Sequence, residues 1–384
     1  MLFIYLSICI QGRFSTFYKV KNTIRNMKQK VLLGLSGGVD SAVAAMLLQK
    51  QGYEVIGAFM KCFSGEKNKI TGECPWIEDR KSAQKIASKL GIKLITINYE
   101  KEYSNQVIKP MFESYAKGLT PNPDSACNTI IKFPYLWKEA KKHNCNYIAT
   151  GHYIKKIEKN NKFYIKIPKD KSKDQSYFLY GLSQEDLKHT LFPIGDYTKR
   201  EVRDIAKQNN LHNWDRKGTR GLCFVGNIDV KDFLKQRIKN KPGKVKDPEG
   251  NIVGEHNGMM FYTIGERLGE NENVKITNEY RNQVKSKLYI AKKDIKNNIL
   301  TIAPKNHPIL KRKEFKIKKI NYISGKPKHS NVLVRIRHLG ELNRATIKGN
   351  KITLNKPIEG LAEGQSAVIY TKQRIMLGGG EINY

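Results

Sequence analysis

A short apolar run, Val31 to Leu35, breaks into Ser36-Gly37-Gly38-Val39-Asp40-Ser41, and a helical pattern follows from Ala42 to Gln51, with Gly52 where that helix would close. Strand, glycine loop and helix in that order constrain this chain more than any other feature. Glu54 to Met60 reads as a second buried strand and Lys93 to Ile97 as a third. Between them, Ile77 to Leu90 reads as an amphipathic helix with Ala83, Ile86, Ala87 and Leu90 on one face. Such alternation predicts an α/β fold with a doubly wound, mostly parallel sheet. Tyr147 to Thr150, followed by Gly151 and His152, reads as a later strand. Its C-terminal end opens on the edge where sheets of this kind bind ligands.

The pattern changes past about residue 215, where Pro242-Gly243, Pro248 to Gly250 and Gly254 punctuate short segments. From about 300 alternating stretches dominate, such as Asn331 to His338 and Ala345 to Leu354. The expected organisation is an N-terminal extension over 1–27, an α/β domain over 28–215, a small central domain over 216–300 and a β-barrel over 301–384. The first 30 residues hold no Asp or Glu and begin with an apolar run from Leu2 to Ile10. That run is too short to span a membrane. A transit peptide and a misplaced start ahead of Met27 both fit it.

The loop Gly34, Leu35, Ser36, Gly37, Gly38, Val39, Asp40, Ser41 joins a strand to a helix. Its glycines let the backbone approach an anion, and the helix N-terminus offers free N–H groups. It lacks the Gly-Lys-Ser/Thr of the Walker loop and the Gly-x-Gly-x-x-Gly of dinucleotide binders, so neither chemistry is supported. An acidic Asp40 beside polyphosphate makes sense with Mg²⁺ between them, while the hydroxyls of Ser36 and Ser41 can donate to phosphate oxygens.

Six cysteines, Cys9, Cys62, Cys74, Cys127, Cys145 and Cys223, are too scattered for a disulfide scaffold, and no pair has C-x-x-C spacing. No metal site on protein ligands is expected. Cys127 follows Thr120-Pro121-Asn122-Pro123-Asp124-Ser125-Ala126, a proline-stiffened loop before an expected helix from Ile130 to Lys142. A helix N-terminus there would lower its thiol pKa. Cys223 lies between Gly221 and Gly226, which suits an exposed, mobile loop. The other four read as small buried or structural side chains. Lysine and arginine total 70 against 35 acidic residues, a formal charge of +35. A large anionic partner explains that charge, with nucleic acid first, and so does a lysine-rich composition without functional meaning.

Ser-Gly-Gly-x-Asp-Ser resembles the pyrophosphatase loop of enzymes that cleave ATP to AMP and pyrophosphate while adenylating an oxygen. Phe59-Met60-Lys61, Pro121 to Cys127, Ala149-Thr150-Gly151-His152-Tyr153, Lys173-Asp174-Gln175-Ser176, Gly221 to Gly226 and Phe261-Tyr262-Thr263-Ile264-Gly265 join it. Together they make the chain, from about Lys28 to its end, closely similar to the tRNA-specific 2-thiouridylases.

The resemblance implies an adenine nucleotide alpha hydrolase-like domain and an ATP- and Mg²⁺-dependent sulfurtransferase acting on the wobble uridine of the tRNA anticodon. It implies Cys127 as nucleophile, Cys223 as persulfide carrier, a disulfide between them after turnover, and Met60 and Gly151 in the ATP site. It places Asn122, Pro123 and Asp124 at the target base. Lys173, Asp174, Gln175, Arg335 and Ile336 would lie on tRNA. Glu266 and the segment 270–286 depart from the family's usual pattern. An upstream persulfide donor protein, no membrane, a monomer, and a cytoplasmic location with the mitochondrial matrix as alternative complete the expectation. A small-molecule synthetase would share the loop without needing two loop cysteines. A non-catalytic RNA-binding module would leave loop and cysteines without purpose.

Overall fold

Residues 30 to 34 form β1 (Lys30–Gly34) at the centre of a parallel sheet. It is joined by β2 (Glu54–Lys61), β3 (Lys93–Asn98), β4 (Tyr147–Ala149) and, beyond the hairpin β5 (Lys155–Lys159) and β6 (Lys162–Lys166), by β7 (Thr190–Leu191). The order is β3-β2-β1-β4-β7, all parallel. This computed structural model describes residues 28–65, 74–216, 218, 223–225, 229–269, 274–327 and 329–384. The expected extension over 1–27 lies outside them, as do Gly221 and Gly226.

β1 is apolar and buried from Val31 to Leu33 because the sheet is covered on both faces. Val31, Leu33 and Leu35 pack with α1 (Val39–Lys50), α2 (Pro75–Leu90) and the helix Lys199–Gln208, while Leu32 packs on the other side with Leu136, Ala140 and Ile148. That second face is covered by α3 and α4. α3 is built of Glu100–Tyr103, Ser104–Ile108 and Lys109–Ala116, and α4 of Pro123–Ala126, a wider π-helical stretch Cys127–Lys132, and Phe133–Lys142. We number Lys199–Gln208 as α5. The chain order reverses between β1 and β4, which opens a crevice at their C-terminal ends.

The central region forms a five-stranded sheet from β8 (Gly243–Lys246), β9 (Ile252–His256), β10 (Val274–Ile276), β11 (Leu288–Asp294) and β12 (Ile299–Pro304), in the order β10-β9-β8-β12-β11. Six strands then close a barrel: β13 (Lys311–Tyr322), β14 (Asn331–Arg335), β15 (Asn343–Lys348), β16 (Lys351–Glu359), β17 (Ser366–Tyr370) and β18 (Ile375–Asn383). Pairing of β13 with both β16 and β18 completes the ring. The alternating stretch Ala345 to Leu354 is thus two strands joined by a turn at Gly349, whose φ is +62°.

Two connections tie the barrel to the first domain. β6 pairs with β18, so the hairpin extends the barrel wall. Arg335 Nη1 meets Asp174 Oδ2 at 2.5 Å, with the carboxylate fully buried and the arginine 7% exposed. Ile336 is buried beside it. Asp174, Arg335 and Ile336, expected on the RNA surface, therefore lie inside a domain interface, where the charges of Asp174 and Arg335 neutralise each other out of water; Lys173 is exposed.

Removing one partner of such a pair leaves an uncompensated buried charge, at a cost of about 3–5 kcal/mol. Arg335→Met should lower unfolding stability by about that amount, read as a drop in denaturant midpoint, and Asp174→Leu combined with Arg335→Met should recover most of it. An unchanged midpoint for Arg335→Met would show that the pair does not hold the domains together.

Candidate active site

The crevice begins at the glycine turn. Gly37 has φ +81°, and a Cβ there would stand 2.4 Å from the Asp79 carbonyl oxygen. The Gly37 carbonyl accepts from Ser82 Oγ at 2.9 Å, Asn213 Nδ2 at 2.9 Å and Arg216 Nη1 at 3.3 Å. Gly38 is the N-cap of α1 and supplies no capping side chain, so the first-turn N–H groups lack that acceptor. Ser36 and Ser41 face each other with hydroxyls 3.3 Å apart. Gly151, beyond β4, comes so near that its Cβ would lie 2.9 Å from Asp40 C and Ser41 N. The two segments that the sequence sends to one edge do meet, and Met60 is buried at the end of neighbouring β2.

Asp40 Oδ1 is held by Lys199 Nζ at 2.6 Å and by the Tyr153 hydroxyl at 2.8 Å. Its charge is thus met by a lysine from the start of α5, a residue that sequence reasoning missed and whose only signal is its place after the helix cap Thr198. Among the described residues no three His, Cys, Asp or Glu converge as a metal site.

The second half of the site lies on the other face of the sheet. Cys127 Sγ and Cys223 Sγ are 3.2 Å apart, from segments 96 residues distant in sequence. The expected stiff loop before Cys127 is already helical: Asn122 caps α4 by accepting from Ser125 N–H at 3.1 Å, and Pro123 begins the helix. Cys127 therefore sits one turn inside, at 0% exposure, and burial followed by the hydrogen bond to Cys223 pushes its thiol well up. The lowered pKa expected for Cys127 belongs to Cys223 instead. There the hydrogen bond from Cys127, set against burial and aided by the ammonium of Lys132, brings the thiol down to about 7.

Cys223 is half-buried, and its backbone is tied at both ends. Its N–H donates to Asp124 Oδ1 at 2.8 Å, and its carbonyl accepts from the Tyr103 hydroxyl. Burial raises the Asp124 carboxyl. Phe224, the next residue, has φ +63°, a conformation uncommon for a side chain of that size. Lys132 Nζ stands 5.3 Å from the centre of the Phe224 ring. Lys132 and Tyr103 too were missed by sequence reasoning.

The halves are joined through His152, buried next to Gly151. Its Nδ1 lies 2.8 Å from Thr150 Oγ1 and its ring centre 5.7 Å from that of Phe133, the residue after Lys132. Burial, then the Lys132 charge, holds the imidazole neutral. Gln175 accepts from Tyr153 N–H at 2.9 Å, so it braces the strand end behind the glycine loop.

Three family models match the chain in succession. One described as a tRNA methyl transferase HUP domain covers 29–227, one described as a tRNA methyl transferase PRC-barrel domain covers 231–304, and one described as an aminomethyltransferase beta-barrel domain covers 312–382. Curated relatives are similar almost from end to end. The tRNA-specific 2-thiouridylase MnmA of Mycoplasma genitalium is 41% identical, over 92% of this chain and 98% of that protein. Its counterpart from Blochmanniella pennsylvanica is 40% identical over 92% and 97%, and one from Aliarcobacter butzleri 37% over 94% and 99%. By these matches the chain belongs to the tRNA-specific 2-thiouridylase family.

Proposed function

We infer that the protein is a tRNA sulfurtransferase that forms 2-thiouridine at the wobble position of the anticodon, activating the base with ATP and delivering sulfur from a persulfide on Cys223. The observation that carries the reading is the 3.2 Å approach of Cys127 and Cys223 on the sheet that bears the glycine loop. The relatives' names speak of thiouridine, whereas the descriptions of the family models speak of methyl transfer. A pair of juxtaposed thiols of unlike acidity suits sulfur transfer, in which one thiol carries the persulfide and the other closes the disulfide.

The loop suits a nucleotide's phosphates. Its glycines leave no Cβ in the cradle, the α1 N-terminus lacks a side-chain cap, and the Ser36 hydroxyl lies beside it, while Ser41 Oγ donates to the Gly38 carbonyl at 3.0 Å and would turn to a phosphate only by giving up that bond. Gly34, Leu35, Gly38 and Val39 would line that cradle, with Met60 and Gly151 beside the adenine. Bound there, ATP supplies the leaving group: the uridine oxygen becomes part of AMP and pyrophosphate departs. With Lys199 on Asp40, a Mg²⁺ ion would travel with the phosphates and take Asp40 as a single protein ligand.

Cys223, with a pKa of about 7, offers a thiolate near neutral pH. It attacks the outer sulfur of a donor protein's persulfide, releases the donor's thiolate, and becomes Cys223–S–SH. That outer sulfur ends on C2 of the base as AMP leaves, and Cys127 Sγ bonds to Cys223 Sγ. The two cysteines give up two electrons to the transferred sulfur, so the enzyme finishes as a disulfide that a thiol reductant reopens. Release of hydrosulfide and direct attack by the persulfide give the same balance. Asn122, Pro123 and Asp124 would meet the base; their position at the start of α4, with Asp124 bonded to the Cys223 N–H, supports that reading.

Mass spectrometry of tRNA nucleosides after incubation with ATP and a persulfide donor should show 2-thiouridine; methylated uridine without thiolation would overturn the reading. Cys223→Ser should still consume ATP in the presence of tRNA but carry no labelled sulfur. Cys127→Ser should load sulfur and fail to pass it on. Thiolation at the wild-type rate in Cys223→Ser would sink the two-cysteine scheme.

Asp40→Asn should abolish ATP-dependent thiolation while leaving tRNA binding nearly intact; normal turnover would remove Asp40 from the nucleotide site. With a formal charge of +35 the chain should bind tRNA through many phosphates. Affinity should therefore fall about tenfold or more between roughly 50 and 200 mM salt. A flat profile would mean that the charge is compositional.

A further inference from the structure

Lys132 is a lysine drawn into the thiol pair without a carboxylate of its own. Among the described residues no Asp or Glu lies within ion-pair distance of it, and its amine reaches over the Phe224 ring towards Cys223. What brings it there is the helix. In an α-helix, residues five apart stand about 140° apart around the axis, so Cys127 and Lys132 would point to different sides. From Cys127 to Lys132, however, α4 is a π-helix, whose hydrogen bonds run from i to i+5. The wider turn gives Lys132 the place that an i+4 residue holds in an α-helix, on the same side as Cys127. Wide turns of this kind cost helix stability and gather at functional sites.

Resting on the sulfur-transfer reading, we propose that Lys132 is a catalytic residue whose ammonium holds the Cys223 sulfur as an anion, first as thiolate and then as the loaded persulfide. It acts by charge and keeps its proton. Burial alone would lower its pKa, but the Cys223 and Cys127 sulfurs outweigh it and the pKa is raised. The groups around the pair are few. Cys62 follows β2, Glu100, Glu102 and Tyr103 come from α3, Asp124 and Cys127 from α4, and His152 follows β4. The Cys62 thiol is pushed up by burial and His152 is held neutral, so Lys132 is the cation of this set.

The test is the pH dependence of Cys223 alkylation by iodoacetamide in the full-length protein, followed residue by residue with mass spectrometry. Wild type should titrate at about 7. Lys132→Met should move that midpoint up by about 1–3 pH units, and Lys132→Arg should keep it low. An unmoved midpoint in Lys132→Met overturns the proposal. Should that variant not fold, Cys127→Ala decides, since it removes the hydrogen-bond donor that also lowers Cys223. A Cys223 midpoint still below the ordinary thiol value of about 8.5 supports Lys132, and one at or above it overturns the role. Failure of the underlying reading looks different: 2-thiouridine would form normally in Cys223→Ser, whatever the alkylation profiles show.

Discussion

The turn at Gly37 is the constraint on which the site depends. Its left-handed φ of +81° and the 2.4 Å clearance to the Asp79 oxygen admit glycine alone, because any Cβ would strike α2's backbone. Its carbonyl in turn gathers donors from α2 and from the segment after α5, through Ser82, Asn213 and Arg216, and Arg216 also reaches Asp79 at 2.5 Å. A single peptide therefore fixes where β1 ends, where α1 begins, and how α2 lies beside them. Gly151 closes the opposite wall with equally little room. The resulting cradle is rigid before any ligand arrives, and rigidity of this kind lets backbone dipoles act on an anion without reorganising.

The cysteine pair obeys a different logic. Two thiols at one depth would both be driven up by burial, and neither would be a nucleophile at neutral pH. Here their environments are split. Cys127 is sealed inside α4 and donates, whereas Cys223 accepts from it and faces the lysine. Near neutral pH these environments favour a thiolate at Cys223 beside a thiol at Cys127, the combination that persulfide loading followed by disulfide closure would use. The asymmetry comes from a helix that starts early, at Pro123, and then widens.

Much of the layout was legible in the sequence. The strand and helix bounds of the first sheet agree to within a few residues, since buried parallel strands read as unbroken apolar runs, and alternating patterns marked the barrel. The β5–β6 hairpin was missed although Asn160 and Asn161, both at positive φ, make the tight two-residue turn that favours such pairing. Prolines misled the reading of α4: Pro121 and Pro123 suggested a loop, yet Pro123 stands in the first turn, where its missing N–H costs nothing. Lys132 carried no signal and Lys199 only its place after the Thr198 cap, because one lysine among many declares its role only when folding brings a sulfur or a carboxylate beside it.

The segment Lys173 to Gln175 shows why a motif's address and its contact surface differ. Asp174 is spent on Arg335 and Gln175 on the Tyr153 backbone, while the Tyr153 hydroxyl reaches Asp40. From the barrel wall to the nucleotide loop the path is thus short, made of these three contacts, the peptide link between Asp174 and Gln175 and the body of Tyr153. His338 adds a further bond, from the barrel to the Asp174 carbonyl, and packs its ring centre 4.4 Å from that of Phe178 at an interplanar angle of 40°. A buried ion pair confers uniqueness of docking more than net stability, since an apolar interface of equal size would bind as well but with less exact register. The segment's polar character then follows from its work as a joint, which keeps barrel, hairpin and glycine loop in one alignment across three parts of the chain.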